Sequence, residues 1–345
     1  MKSFFPTFFG NESLRSALGE EILSDRLGHA YILEGPLGTG KHTLAFQIAA
    51  ALACEQKTED GVPLPCMQCP SCRKILSGNS PDVIFVGRED GKATIGVDTI
   101  RETRNFSYMA PNELEDKIYI FEDAQAMTPA AQNALLLILE EPPAYLRFFL
   151  LTDGSIPLLE TIRSRAPTLR LTRLSKPLLQ EKLLETEPEA RALQAQSPTE
   201  FRELIAAADG SMGRAKKMLD PKFRQSVLED RRMARSFAEL AASRSKASTA
   251  IPFLNGFGSR REEVINRLLM ILLCIRDLSL LKQSETAPLC FFDDREEATD
   301  LAFRFTAPEL MRYSREISSA MDALYRNANI RLVLTRFAMH TGLLS

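Results

Sequence analysis

The sequence predicts an α/β domain built on a parallel sheet and followed by two helical domains, and three observations carry that expectation. Short apolar runs alternate with helical patterns through the first half, a glycine-rich turn joins one such run to a helix, and strand signals fade beyond about residue 175. A chain of 345 residues is also too long for one ordinary hydrophobic core. The expected boundaries are 1–175 for the sheet domain, 176–220 for a small helical domain and 221–345 for a larger one.

Ala30-Tyr31-Ile32-Leu33 reads as a buried strand, followed by the glycine-rich turn and a helix through Ala53. Asp82 to Val86, Lys117 to Phe121 and Arg147 to Leu151 read as further strands. Between the last two lies a helix from Pro129 to Leu139, stopped by Pro142-Pro143, which cannot continue it. A helical stretch is expected over Ile156 to Arg163, and Leu169-Arg170-Leu171 as a last short strand. Beyond it the pattern is helical through Met218 with a break at Asp209-Gly210-Ser211. Amphipathic helices follow from Pro221, with loops near Gly256 to Arg260 and Glu285 to Asp294, and no internal repeat is visible.

Hydrophobic residues make up 45% and charged residues 26%, which fits a globular chain and excludes a disordered one. No apolar run is long enough to span a bilayer, and Met1 to Pro6 is too brief for a signal peptide, so a cytoplasmic address is expected. A formal net charge of −2 does not mark a nucleic-acid binder, although one patch on a shared surface would not need a basic chain.

Gly35-Pro36-Leu37-Gly38-Thr39-Gly40-Lys41 stands where a phosphate-binding loop belongs, after a strand and before a helix. Glycines there let backbone N–H groups curl around phosphate oxygens, the helix N-terminus adds positive potential, and the lysine reaches the β- and γ-phosphates. Gly35, Gly38, Thr39, Gly40, Lys41, His42 and Thr43 are the candidate nucleotide-binding residues. His42 is a departure, since a hydroxyl is needed directly after the lysine to meet Mg²⁺. Thr43 comes one residue later, about 100° further round the helix. Glu122-Asp123 ends the strand before it, where P-loop ATPases place the carboxylates that hold Mg²⁺ and orient water. The usual order is Asp then Glu, so both carboxylates are displaced by one methylene, and metal-assisted hydrolysis is expected to suffer.

Six cysteines are present, and Cys54, Cys66, Cys69 and Cys72 crowd one short segment. Two overlapping C-x-x-C steps and an earlier cysteine predict one tetrahedral zinc ion in a structural role, because four protein ligands leave no open position. Cys274, within Leu272-Leu273-Cys274-Ile275, reads as a buried small hydrophobe. Thr152 is placed to sense a γ-phosphate or equally to cap a turn, and Ser164-Arg165 ends the expected helix.

These segments together resemble the clamp-loader ATPase family of bacterial DNA polymerase III. The matching text is His29-Ala30-Tyr31, Gly35 to Lys41, the four-cysteine insertion and Val97-Asp98-Thr99-Ile100-Arg101. It continues with Asn133-Ala134-Leu135-Leu136, Leu139-Glu140-Glu141-Pro142-Pro143 and Thr161-Ile162-Arg163-Ser164-Arg165. The match is dense from about residue 25 to 170 and thin afterwards. The resemblance implies an AAA+ domain with a zinc module over 54–72, a helical lid and an all-α collar. It also implies a pentameric loader that places a sliding clamp on primed DNA, with Zn²⁺ and ATP or ADP with Mg²⁺ as cofactors.

In that family the Ser-Arg step supplies an arginine finger to the neighbouring ATP site, and Arg165 matches it, with Ala166 in place of the usual cysteine. Family motors resembling gamma and tau keep an intact loop, an Asp-Glu pair and an arginine just after a Gly-Ser-x step. Here Gly213 holds that arginine's position and Arg214 is shifted by one. Degraded ATPase motifs beside a retained finger resemble the delta-prime branch, expected to sit among gamma/tau-like and delta-like subunits with little hydrolysis of its own. Two readings stand beside it: an active gamma/tau-like motor, and a zinc-containing scaffold that binds no nucleotide.

Overall fold

Five apolar runs become one parallel sheet in the computed structural model, which describes residues 2–89, 92, 94–154, 158–243, 252–287, 289–292, 294–325 and 327–343. The strands are β1 (Ala30–Glu34), β2 (Val83–Val86), β3 (Lys117–Phe121), β4 (Leu146–Thr152) and β5 (Thr168–Arg170), in the order β2-β3-β4-β1-β5. Every pairing is parallel, with Glu34 opposite Thr152 and Phe121 opposite Leu150. Parallel neighbours need crossovers, and helices supply them. α1 (Glu12–Leu23) precedes the sheet, and α2 (Lys41–Leu52) and α3 (Pro70–Leu76) join β1 to β2. α4 (Val97–Ser107), α5 (Pro129–Glu140) and α6 (Glu160–Arg163) make the next three connections.

The period of two along each strand divides the sheet's side chains between two cores. Tyr31, Leu33, Ile118, Ile120, Phe149 and Leu151 pack with Leu44, Ile48 and Ile75 of α2 and α3. Their neighbours Ile32, Tyr119, Phe121, Phe148 and Leu150 pack with Ile100, Leu135 and Ile138 of α4 and α5. The result is a helix–sheet–helix sandwich in which β1, β3 and β4 are buried on both faces, which is why they read as apolar runs, while β2 and β5 are only partly buried. Local signals set the helix ends. α5 starts with Pro129 in its first turn and the Thr128 hydroxyl accepting from Ala131 N–H at 3.2 Å, and it stops ahead of Pro142-Pro143.

The described residues form two compact units, Met1–Lys182 with Gly210–Gly213, and Leu183–Asp209 with Arg214–Ser345. The chain beyond the sheet is helical: α7 (Lys176–Thr186), α8 (Pro188–Gln196), α9 (Pro198–Ala208), α10 (Met212–Lys217) and α11 (Pro221–Ser243). α12 (Arg261–Leu281), α13 (Arg295–Phe303), α14 (Ala307–Tyr325) and α15 (Ile330–Thr341) follow. The second unit's core gathers Phe237, Phe257, Leu268, Ile317 and Phe337, and Cys274 is fully buried in it. Asp277, also fully buried, accepts from the N–H groups of Cys290, Phe291 and Phe292 at 2.8, 2.7 and 3.2 Å, which pins that loop to α12. No helix among the described residues is long and apolar enough to cross a membrane.

Three expectations shift on inspection. β2 begins at Val83, because the Asp82 side chain serves as an anchor: it accepts from the N–H groups of Asn112, Glu113 and Leu114 at 2.7, 2.7 and 3.0 Å. The last strand ends at Arg170, although Leu171 N–H still donates to Glu34. The helix expected over Ile156 to Arg163 is seen as Glu160–Arg163, and Ile156 lies outside the described residues.

Asp82 has a testable consequence. Burial pushes its carboxyl up, but the three N–H donors and the Asn112 amide outweigh burial and hold it below the usual carboxylate range. A depressed folded pKa contributes stability above the unfolded value of about 4, and that contribution fades as pH falls through the folded value. Asp82→Ala removes the buried acceptor of three part-buried N–H donors and is expected to cost about 2 kcal/mol at neutral pH, read by urea unfolding. The deficit relative to the parent should shrink below about pH 4. A pH-independent deficit would mean the carboxylate is not the anchor.

Candidate nucleotide and metal sites

The loop Gly35 to Gly40 leaves the carboxyl end of β1, and in sheet order β4 and β3 lie next to it, so Thr152, Glu122 and Asp123 arrive along the same edge. Gly38 and Gly40 have φ of +85° and +88°, the left-handed region that glycine enters without strain. A Cβ at Gly38 would lie 2.3 Å from Ser211 Oγ, and one at Gly40 would press on the Phe8 ring at 3.0 Å. Gly38→Ala is therefore expected to destabilise the chain by about 2 kcal/mol or more through strain and the Ser211 clash, measurable by thermal unfolding. An unchanged melting temperature would count against the observed loop conformation.

The first turn of α2 has no side-chain cap, which leaves its N–H groups to face an anion at the loop mouth. Thr39, buried, donates its hydroxyl to Pro36 O at 2.9 Å and tightens the loop from within. Lys41 Nζ folds back to donate to Gly35 O and to Pro36 O at 3.0 Å. Burial lowers its pKa, while Asp153 and Asp123 raise it and Arg173 lowers it further.

The residues that would meet Mg²⁺ do not fit it. His42 Nδ1 lies 3.4 Å from Glu122 Oε1, so an imidazole faces the carboxylate where a hydroxyl and a metal would stand. Asp123, with φ +51°, pairs through Oδ2 with Arg88 Nη2 at 3.1 Å. Thr43 is exposed. Both pairs are roughly half-exposed and contribute little to stability, but they engage both carboxylates. Thr152 Oγ1 accepts from Gly154 N–H at 3.1 Å, so the turn-capping alternative describes its present contact.

Arg165 follows α6 and is one-third exposed. Its guanidinium donates to Thr161 O at 3.0 Å and pairs through Nη2 with Glu140 Oε1 at 2.7 Å, which fixes its direction from two elements. Glu140 closes α5, the helix that the double proline stops. Sequence reasoning missed Arg88, Arg173, Ser211 and Phe8. Arg88 had one usable signal, its place just past the end of β2, but only the sheet order makes β2 the neighbour of β3.

The four clustered cysteines come together as expected: Sγ atoms of Cys54, Cys66, Cys69 and Cys72 all lie within 4.8 Å of one another, and all four residues are buried. Cys66 Sγ and Cys72 Sγ are 3.9 Å apart, against about 3.8 Å for two thiolates on one tetrahedral zinc with bonds near 2.3 Å. Backbone N–H groups of Cys66, Cys69 and Cys72 point at the sulfurs of Cys54, Cys66 and Cys69 at 3.4, 3.3 and 3.5 Å, an arrangement that favours thiolate. Burial raises the Cys66 thiol, yet N–H donation from Cys69 and Gln68 wins and brings it down to about 7. Burial pushes Cys54 and Cys72 up instead. A shared dication would reconcile these opposed tendencies, so the donor set fits a metal ion.

Residues 10–175 match the family described as DNA polymerase III, delta subunit. The tau subunit of DNA polymerase III from Bacillus subtilis is 34% identical over 217 residues, covering 63% of this chain and 37% of that protein. The tau subunit from Salmonella typhimurium is 31% identical over 216 residues, covering 63% and 32%. The chain thus spans about a third of the length of these two relatives. A DNA polymerase III gamma subunit-related protein from Thermotoga maritima aligns over 94% of this chain and 98% of its own, with TM-score 0.44 and 17% identity. Residues 10–175 are thus similar to a DNA polymerase III delta-subunit family, and gamma and tau subunits are among the proteins this chain resembles.

Proposed function

We propose that this chain is a clamp-loader subunit of the delta-prime kind, which assists ATP-dependent loading of a ring clamp onto primed DNA and hydrolyses little or no ATP itself. One observation carries the reading: His42 and Arg88 engage the carboxylates a catalytic metal would need, while Arg165 is held ready beside Glu140. Arg165 would serve the ATP site of a neighbouring gamma/tau-like motor, neutralising charge on the γ-phosphate. In this reading 1–175 is an AAA+ domain with a zinc module at Cys54, Cys66, Cys69 and Cys72, 176–220 a lid, and 221–345 a collar that joins the other subunits. Zn²⁺ would be structural, the nucleotide ATP or ADP, and the location cytoplasmic.

Co-purification with gamma/tau-like and delta-like subunits, followed by an ATPase assay, tests this. The expected result is a stable complex with DNA-stimulated turnover and a nearly inert isolated chain. Brisk turnover by the isolated chain, abolished in Lys41→Ala, would instead establish a motor, a reading favoured by its 34% identity to a tau subunit. A chain that forms no complex would leave the proposal without support. The scaffold reading draws on Lys41 folded onto its own loop carbonyls, and it requires that no nucleotide bind.

A further inference from the structure

A phosphate loop ordinarily shares a divalent ion with its nucleotide, and here the positions that would hold the ion have been turned to other contacts. The imidazole at position 42 faces Glu122 at 3.4 Å, and Asp123 is engaged by Arg88 at 3.1 Å. Each carboxylate already has a nitrogen partner on one of its oxygens, so an incoming Mg²⁺ would compete with His42 and Arg88 for these groups. It would also need a hydroxyl ligand from the helix, and Thr43 is one residue too late to give it.

The anion-binding half of the loop is intact. Gly38 and Gly40 keep the left-handed turn, and the N–H groups that open α2 have no side-chain cap. Lys41 Nζ rests on the loop itself, donating to Gly35 O and to Pro36 O at 3.0 Å, where a phosphate could take over its contacts. The Lys41 ammonium can therefore balance phosphate charge that a metal would otherwise share.

We propose that this loop binds a nucleoside di- or triphosphate without a divalent cation, with His42 and Arg88 engaging Glu122 and Asp123 in its place. The inference deepens the nucleotide-binding part of the function proposed above and rests on it. The test is fluorescence titration of the full-length chain with N-methylanthraniloyl-ADP, once in magnesium and once in excess EDTA. The dissociation constants should agree within about two-fold, and Lys41→Ala should weaken both by about ten-fold or more. The double variant His42→Thr/Arg88→Ala restores a hydroxyl and frees Asp123, both at exposed positions, and should bind about ten-fold more tightly in magnesium than in EDTA. Magnesium tightening of about ten-fold in the parent chain overturns the proposal, as does the absence of saturable binding in both buffers. A double variant that stays indifferent to magnesium overturns the role given to His42 and Arg88. None of these results touches assembly with the other subunits, which co-purification reads separately.

Discussion

Cys72→Ser is expected to abolish metal binding at the proposed four-sulfur site and lower the melting temperature by about 10 °C, the largest stability effect we anticipate for a single replacement. Cys72 is fully buried, its sulfur lies 3.9 Å from Cys66 Sγ, and it also contacts Ala50 O in α2. Serine would replace a soft thiolate with a weakly acidic hydroxyl that zinc does not hold well. Because a preformed four-sulfur site is absent from the unfolded chain, metal affinity acts as folding free energy. The effect should spread, since the same core holds the cysteines with Phe5, Leu44 and Ile48, and Phe5 N–H donates to Leu64 O within the cysteine segment. Elemental analysis should find about one zinc per parent chain and far less in the variant, by the four-ligand stoichiometry. A parent chain purified with no metal, or a variant that melts like the parent, would remove the structural zinc.

Arg165→Ala should have the largest functional effect. At the neighbouring site that Arg165 is proposed to serve, single-turnover ATP hydrolysis in the assembled complex should fall by about 10³-fold. The isolated variant should still fold, because Arg165 is partly exposed and its ion pair with Glu140 lies near the surface. Arg165→Lys is expected to rescue poorly, since a lysine lacks the planar fork that can hold Glu140 and a phosphate oxygen together. Unchanged DNA-stimulated turnover in a complex assembled with Arg165→Ala would end the trans role while leaving the zinc and the fold untouched.

Much of this was legible in the residues themselves. All five strands lay within a residue or two of their expected places, and for β1, β3 and β4 the reason is that a strand buried on both faces is an apolar run whatever its neighbours are. The glycine turn after β1 and the cysteine cluster were equally plain, since each is formed by groups close together in the chain. α1 and α4 went unread: α1 buries only Leu18, Gly19 and Ile22, and α4 only Ile100, Thr103 and Ser107, so neither shows a broad apolar stripe.

Local order along the chain thus sufficed for the α/β class, the glycine turn, the four-cysteine cluster and the places of His42 and Glu122-Asp123. Such features depend on neighbours a few positions apart. The partners of those residues came from folding: Arg88 reaches Asp123 because β2 pairs with β3, and His42 reaches Glu122 because β1 and β3 both flank β4. Ser211 and Phe8 close on Gly38 and Gly40 from segments far away in sequence. Strand order and long-range docking minimise the free energy of the whole molecule, and no short stretch of residues carries that information.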